Sequence, residues 1–562
     1  GGWGDTTRSA SNLSTTLLSW ATLKAGIPLG SGPIPAHDGA VARAEAWIRE
    51  RVGSLDARAI ARAVVDTYGE DRTFSVPILT HCAIAGVFGK SRSAWKHVLP
   101  LPFELAALPR SWFGRIGLPV VSYALPALIA IGLVRYERAP PRDPFRRLVR
   151  RITRSRVLRV LEAIQPASGG FLEATPLTSF VAMSLFASGH WGTEAVRAVH
   201  FLVNSVRHDG SWPIDTDLAT WVTTLSVRAL CASSDLGAVL SDDERDAIRT
   251  WLLGQQYREV HPYTCAAPGA WAWTDLSGGV PDADDTPGAL LALRELGGDA
   301  KNVLVAAKRG VAWLLDLQNR DGGMPTFCRG WGKLPFDRSG ADLTAHAIRA
   351  WLAWRESIHA DSPRLGARVD RAISSGLRFL AATQRADGSW VPLWFGNESA
   401  AELANPTYGT SRVVIALSEA MRAGHAEAQP LRERAIRWII EAQGADGGWG
   451  GEAGVRPSVE ETGLALEALA DRDIAANVPP ALHAIERGSA WLARALRDDR
   501  HLEPTPIGFY FAKLWYFERL YPLVFALAGL GRARAILGSL AESKAAARSS
   551  HEHGERTDSS AK

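Results

Sequence analysis

Pro281-Asp282-Ala283-Asp284-Asp285-Thr286 places three carboxylates within four positions. Like charges at that range raise one another's pKa, so the cluster can hold a proton at neutral pH. Sixty residues on, Asp342-Leu343-Thr344-Ala345-His346 sets an aspartate and a histidine four apart, on one face of any helix, where both can act on one target. A carboxylic acid that stays protonated beside a histidine that polarises it suits protonation of a very weak base such as an alkene. A Ca²⁺ loop is the competing reading of an Asp-rich tetrapeptide. It needs glycine at the sixth position and glutamate at the twelfth; counted from Asp282 these are Pro287 and Leu293, which excludes it. Thr286 and Pro287 read as the start of a helix, Thr as its cap and Pro in its first turn. The carboxylates then stand at a helix mouth, facing a cavity.

The elements that must hold this mouth repeat along the chain. Gln384 to Trp390 and Gln443 to Trp449 share the pattern Gln-x-x-Asp-Gly-[Ser/Gly]-Trp, and Gln318 to Met324 repeats it with Met in the Trp place. Looser copies are His208 to Trp212 and Gln165 to Phe171, and the chain opens on Gly1-Gly2-Trp3. Successive glutamines at 318, 384 and 443 lie 66 and 59 residues apart, a spacing that fits two helices and their connections. Apolar helical runs flank each copy, Asp-Gly supplies the turn, and the Gln amide can satisfy orphan backbone groups at a helix end while the Trp ring packs over it.

At 562 residues the chain calls for two or three domains. Ala/Leu/Arg-rich helical runs dominate and alternating strand patterns are scarce, which predicts an all-α fold. Trp, at 21, outnumbers Phe at 17 and Tyr at 9, an inversion that calls for a use of indole, in the repeats or as π faces that stabilise positive charge. Cys82, Cys231, Cys265 and Cys328 have no metal or disulfide spacing, so a reducing compartment is expected. No signal peptide is visible. The chain begins without Met and within a repeat, so a preceding segment is expected. Residues 542–562 are polar and read as a disordered tail.

Net charge is +4, yet Arg135 to Arg159 holds ten arginines against Glu137 and Asp143. Just before it, Ile116 to Val134 has no charged residue across 19 positions. That run satisfies the length of a membrane span, but Pro119 and Pro126 favour a buried helix. The basic cluster, with the apolar segment Trp95 to Phe103, predicts monotopic attachment to anionic lipid at the cytoplasmic face of the cell membrane. Nothing in the arginine run resembles a nucleic-acid recognition motif.

The acid motif and the repeats together resemble the class II terpene cyclases, squalene–hopene cyclase in particular, with its Asp-x-Asp-Asp-Thr acid motif and its QW repeats. The similarity runs over nearly the whole chain, most strongly from Trp212 to Leu530. It implies two (α/α) barrels tied by QW repeats: residues 1–204 as a second, N-terminally incomplete barrel and 205–541 as the catalytic (α/α)6 barrel. It implies that Asp284 donates the proton, supported by Asp282 and Asp285, that His346 strengthens the acid, that Asp342 holds the histidine, and that Tyr408 orients water behind the acid. Trp221, Trp273, Trp394, Phe509, Tyr510 and Phe511 fall where the family lines its cavity. To strengthen the acid His346 must be charged, so His346→Arg is expected to retain more activity than His346→Phe. The reaction implied is cofactor-independent and metal-free cyclisation of squalene, a hydrophobic polyprene; a homodimer is left open.

Departures from the family pattern bear on product and substrate. The Asp that follows the Trp matching Trp221 is Val222 here; Pro325 to Phe336 is shorter than in the hopene cyclases, and Trp394 to Tyr408 is longer. Three alternatives stay open: a class II cyclase acting on a prenyl diphosphate with Mg²⁺, a zinc enzyme of the prenyltransferase β-subunit type, and a helical scaffold that has lost activity.

Overall fold

Two kinds of helix alternate from residue 219 onward in this computed structural model, which describes residues 1–26, 35–69, 71–297, 300–509, 511 and 513–558. One kind is buried nearly all round: every residue of Val459–Leu469 is buried, as are 285–293 of Asp285–Glu295. The other is one-sided. Pro363–Thr383 buries Gly366, Val369, Ile373, Gly376 and Leu380, steps of three and four that mark a surface helix. The first kind must lie inside and the second outside. The inner helices are α1 (Ala219–Ala232), α2 (Asp285–Glu295), α3 (Ala341–Asp361), α4 (Pro406–Arg422), α5 (Val459–Leu469) and α6 (Tyr521–Asp558). Each packs on the next, and α6 packs back on α1, so the ring closes. Asp242–Gln255, Lys301–Leu317, Pro363–Thr383, Gln429–Glu441 and Pro479–Arg497 surround it. The fold is all-α, an (α/α) barrel.

The repeats are the fasteners. Nε2 of Gln384 donates to the carbonyl of Gly388 in its own turn and to that of Leu431 in the next outer helix, at 2.9 and 3.0 Å. Gln165, Gln318 and Gln443 do the same with their own glycines and neighbouring helices. The indole N–H satisfies a carbonyl at the helix end. Trp390 donates to the carbonyl of Leu380 and Trp449 to that of Ile439, each near the C-terminus of the preceding outer helix. Gly388 and Gly447 sit at φ +96° and +99°, which the turn between these bonds demands of glycine. A threonine in the first turn of the following inner helix then accepts from the backbone N–H at the Trp position: Thr410 from Trp390, Thr462 from Trp449 and Thr344 from Met324.

A further copy, Gln256 to Trp271, escapes the sequence pattern because its turn is lengthened. Gln256 donates to Gly269 and Ala306, and the Trp271 indole donates to Leu252. Its threonine is Thr286, which accepts from Trp271 N at 3.0 Å. Thr286 is therefore not the helix cap expected of it: its hydroxyl anchors the repeat, and α2 starts on another device.

Over the N-terminal ends of the inner helices lies a small antiparallel sheet, β1 (Phe395–Asn397), β2 (Ile507–Phe509) and β3 (Leu514–Tyr516), with Phe395 opposite Phe509. Before residue 205, Leu13–Ala25, Ser75–Ile84, Val120–Arg138 and Thr175–Ala187 pack together, flanked by Pro35–Val52, Ala57–Tyr68, Pro144–Ile164 and Thr193–Ser205. Val120–Arg138 is long and apolar enough to cross a membrane, yet Leu125, Ile129, Ala130 and Val134 are fully buried in protein. Its Tyr123 joins the two halves of the chain, donating to the carbonyl of Phe327 at 2.9 Å. α6 runs through Asp558.

Candidate active site

The acid motif is built by its first aspartate. Asp282 Oδ1 accepts from the backbone N–H of Asp284 and Asp285, at 2.8 and 2.7 Å, and so satisfies the orphan donors at the start of α2. Asp282 and Asp285 are both buried. Burial, then the charge of Asp284, pushes Asp282 up to about 7, while burial with the charges of Asp282 and Asp284 pushes Asp285 well above the usual carboxylate range. Buried side by side, the two carboxyls oppose one another's ionisation.

Asp284 is turned the other way, into a cavity of about 40 Å³ whose lining includes Trp221, Asp342, His346, Tyr408 and Arg412. Its side chain is 21% exposed and lines this cavity. Desolvation accordingly pushes the carboxyl up to about 7, with Arg412 pulling the other way.

His346, on the second turn of α3, places Nδ1 3.2 Å from Asp284 Oδ1. The sequence paired these two correctly but not their charge. Burial comes first, then the guanidiniums of Arg349, Arg412 and Arg228, and together they hold the imidazole well below its ordinary pKa, so it is neutral. Asp342 does not hold the histidine either. Its Oδ1 accepts from the Leu393 N–H at 3.0 Å, because the loop after the Gln384–Trp390 repeat passes over the start of α3. Burial, then the neighbouring Asp284, push Asp342 up to about 7.

Tyr408, in the first turn of α4, is buried with its ring 4.5 Å from that of Phe395. Burial raises its phenol above the ordinary range, so it stays neutral. Trp221 stacks on the other side of Phe395 at 6.3 Å and donates its indole N–H to Tyr521 Oη at 2.8 Å. Val222, where the family has Asp, packs in the same apolar cluster.

The remaining aromatics form a wall beyond the sheet. Trp394 has Phe509 and Phe511 each at 5.0 Å, edge to face, and donates to Thr326 Oγ1. Phe327 stands 6.1 Å from Trp394 and 6.2 Å from Trp273. Tyr510 lies outside the described residues. Alternation along β1 divides the two groups, Phe395 going to the acid and Trp394 to the wall. Sequence reasoning missed Phe327, Phe336, Phe395, Tyr521 and Arg412. Arg412 alone carried a local signal, one turn after Tyr408 on the same face.

The site sets a buried carboxyl at the mouth of a closed helical ring, against an imidazole and with an aromatic wall beyond. Residues 218–535 match the squalene-hopene cyclase C-terminal domain, more than half of the chain, and the chain belongs to that family. It is 31% identical over 337 residues to enfumafungin synthase efuA of Hormonema carpetanum, a stretch covering 54% of this chain and 24% of that protein. It is 30% identical over 254 residues to a probable squalene–hopene cyclase of Sinorhizobium fredii, covering 42% of this chain and 35% of the relative. With an ent-copalyl diphosphate synthase of a Streptomyces species it shares 29% over 375 residues, 65% of this chain and 60% of that one. A solved ent-copalyl diphosphate synthase from Streptomyces platensis superposes with TM-score 0.49 at 18% identity, over 93% of this chain and 99% of that one. The chain thus spans only about a quarter to a third of the first two curated relatives.

Proposed function

We propose that the protein cyclises a linear polyprene by proton transfer from Asp284 to a terminal alkene. The carboxyl O–H bond breaks, the alkene π pair takes the proton as a new C–H bond, and the resulting tertiary cation is attacked by the next double bond in turn. Loss of a proton or capture of water ends the cascade. The observation that carries this reading is the Asp284–His346 contact, a buried carboxyl with a pKa of about 7 on a neutral imidazole. The aromatic wall of Trp394, Phe509, Phe511 and Phe327 offers π faces to the cations. Preorganised charge and exclusion of water do the rest.

Squalene is the substrate we propose, from the family model over 218–535. A prenyl diphosphate is the second reading, favoured by the broader coverage of the ent-copalyl diphosphate synthase relative. Incubation of detergent-solubilised protein with squalene or with geranylgeranyl diphosphate, with and without EDTA, separates them. We expect a cyclised triterpene from squalene at a rate EDTA does not change. Turnover of the diphosphate alone, lost in EDTA and restored by Mg²⁺, reverses the choice.

Membrane attachment is proposed through Pro144–Ile164, where Phe145 and Ile152 are 73% and 70% exposed and, with Leu148, lie on one stripe among Arg142, Arg146, Arg147 and Arg151. The neighbouring segment adds exposed Leu105, Leu108, Trp112 and Ile116. Arg150 differs from its basic neighbours in being buried, 3.0 Å from Glu104 and over the Phe103 ring. Each surface arginine contributes roughly 1 kcal/mol of attraction to anionic lipid. Changing Arg142, Arg146, Arg147 and Arg151 to Gln should release the protein from phosphatidylserine vesicles in flotation. Changing Phe145 and Ile152 to Ser should release it even at high salt. Unchanged flotation in both sets would defeat the assignment.

A further inference from the structure

Arg412 follows Tyr408 by one turn of α4 and lines the same cavity as Asp284. Its guanidinium carbon sits 5.3 Å from the ring centroid of Tyr408 and 5.4 Å from that of Phe525 on α6. A cation between two π faces is held in place and partly compensated for lost water. Among the described residues Arg349, Arg228 and Arg532 also reach the barrel interior, each within 4.0 Å of a carboxylate, whereas Arg412 feels the charges of both Glu467 and Asp284. Arg349 Nε donates to both oxygens of Glu419 at 3.0 and 3.1 Å, Arg228 is 3.9 Å from Glu295, and Arg532 is 3.7 Å from Glu467.

The demand on such a cation comes from the acid. When Asp284 gives up its proton it leaves a carboxylate inside the barrel, and the acid is only as strong as that carboxylate is stabilised. Its own helix start offers Asp282 and Asp285, which oppose a further negative charge. α3 offers neutral His346, acidic Asp342, and Arg349 committed to Glu419. α4 offers neutral Tyr408 and Arg412, α5 offers Glu467, and α1 and α6 offer Arg228, Arg532 and the neutral phenol of Tyr521.

We infer that Arg412 is the positioning residue that makes Asp284 a strong acid, holding a fixed positive charge across the cavity from the carboxylate left by proton transfer. This rests on Asp284 being the proton donor. It gives Arg412 the part that the family resemblance gave to a charged His346. Electrostatic pull on Asp284 from Arg412 has the required sign.

The test reads Asp284 directly and needs no substrate. Its protonated carboxyl stretch, identified as the infrared band lost in Asp284→Asn, is titrated in the wild-type protein and in Arg412→Gln and Arg412→Lys. We expect a midpoint near 7 in the wild type, a rise of about one pH unit or more in Arg412→Gln, and a return toward the wild-type value in Arg412→Lys. Turnover in Arg412→Gln should fall on the order of 100-fold at unchanged KM, with partial rescue by Lys. A wild-type midpoint in folded Arg412→Gln overturns the inference. If that variant does not fold, Phe525→Leu, which keeps the charge and removes one ring of its clamp, must raise the midpoint, and an unmoved midpoint overturns the inference equally. Turnover by Asp284→Asn would instead defeat the proton-donor reading, whatever Arg412 does.

Discussion

Asp284→Asn should abolish cyclisation, by at least about 10³-fold, while the melting temperature stays near that of the wild type. The amide keeps the shape of the carboxyl and can still meet His346 Nδ1, now 3.2 Å from Asp284 Oδ1. It cannot deliver a proton to carbon. Neither neighbouring aspartate can take over, because Asp282 is spent on the N–H groups of Asp284 and Asp285, and Asp285 faces Asp282 rather than the cavity. Single-turnover measurement on a variant with an intact cooperative melt decides it. Wild-type rates would remove Asp284 from the chemistry.

His346 gives the second large effect. His346→Phe removes the one imidazole that meets the acid and should slow the chemical step roughly 100-fold with little change in substrate affinity, since an alkene offers the imidazole nothing to bind. Because the structure makes His346 neutral, the substitutions around it reverse the order expected from the sequence. His346→Gln, a neutral donor, should retain more activity than His346→Phe, and more than His346→Arg, whose charge duplicates that of Arg412 without the hydrogen bond of the neutral ring. The pH profile carries the same sign. Protonated Asp284 is the active form, so the rate is level below about 7 and falls as the carboxyl ionises above it, with the slope of one proton. Strong activity in His346→Arg would restore a charged histidine.

Much of the architecture was legible because it is local. Gln384-x-x-Asp-Gly-Ser-Trp390 contains both its turn and its fasteners, so the repeats announced helix pairs and the ring that helix pairs build. The meeting of Asp284 and His346 was legible through the family pattern. What the sequence hid depends on side chains brought from elsewhere. The pKa of His346 is lowered first by burial and then by Arg349, Arg412 and Arg228 on three inner helices, and no spacing in the chain reports their convergence. Asp342 and His346 share a helix face, yet a loop fifty residues away claims the aspartate. Thr286 looked like a cap because caps are local, whereas its partner Trp271 belongs to a repeat disguised by a longer turn. Arg150 looked like its basic neighbours until Glu104 and Phe103 closed over it.

The central claim is that the reaction begins with a proton from Asp284, and turnover in D2O tests it most directly. The carboxyl exchanges with solvent before each cycle, so it delivers deuterium to the terminal alkene. Mass spectrometry of the product from squalene, or from a prenyl diphosphate if that is the substrate, should show one deuterium at the ring methylene next to the gem-dimethyl carbon for each turnover that ends in proton loss, and none of that product from Asp284→Asn. A cyclised product without deuterium, formed with release of inorganic diphosphate, would mean that the cation arises by ionisation and would contradict the account.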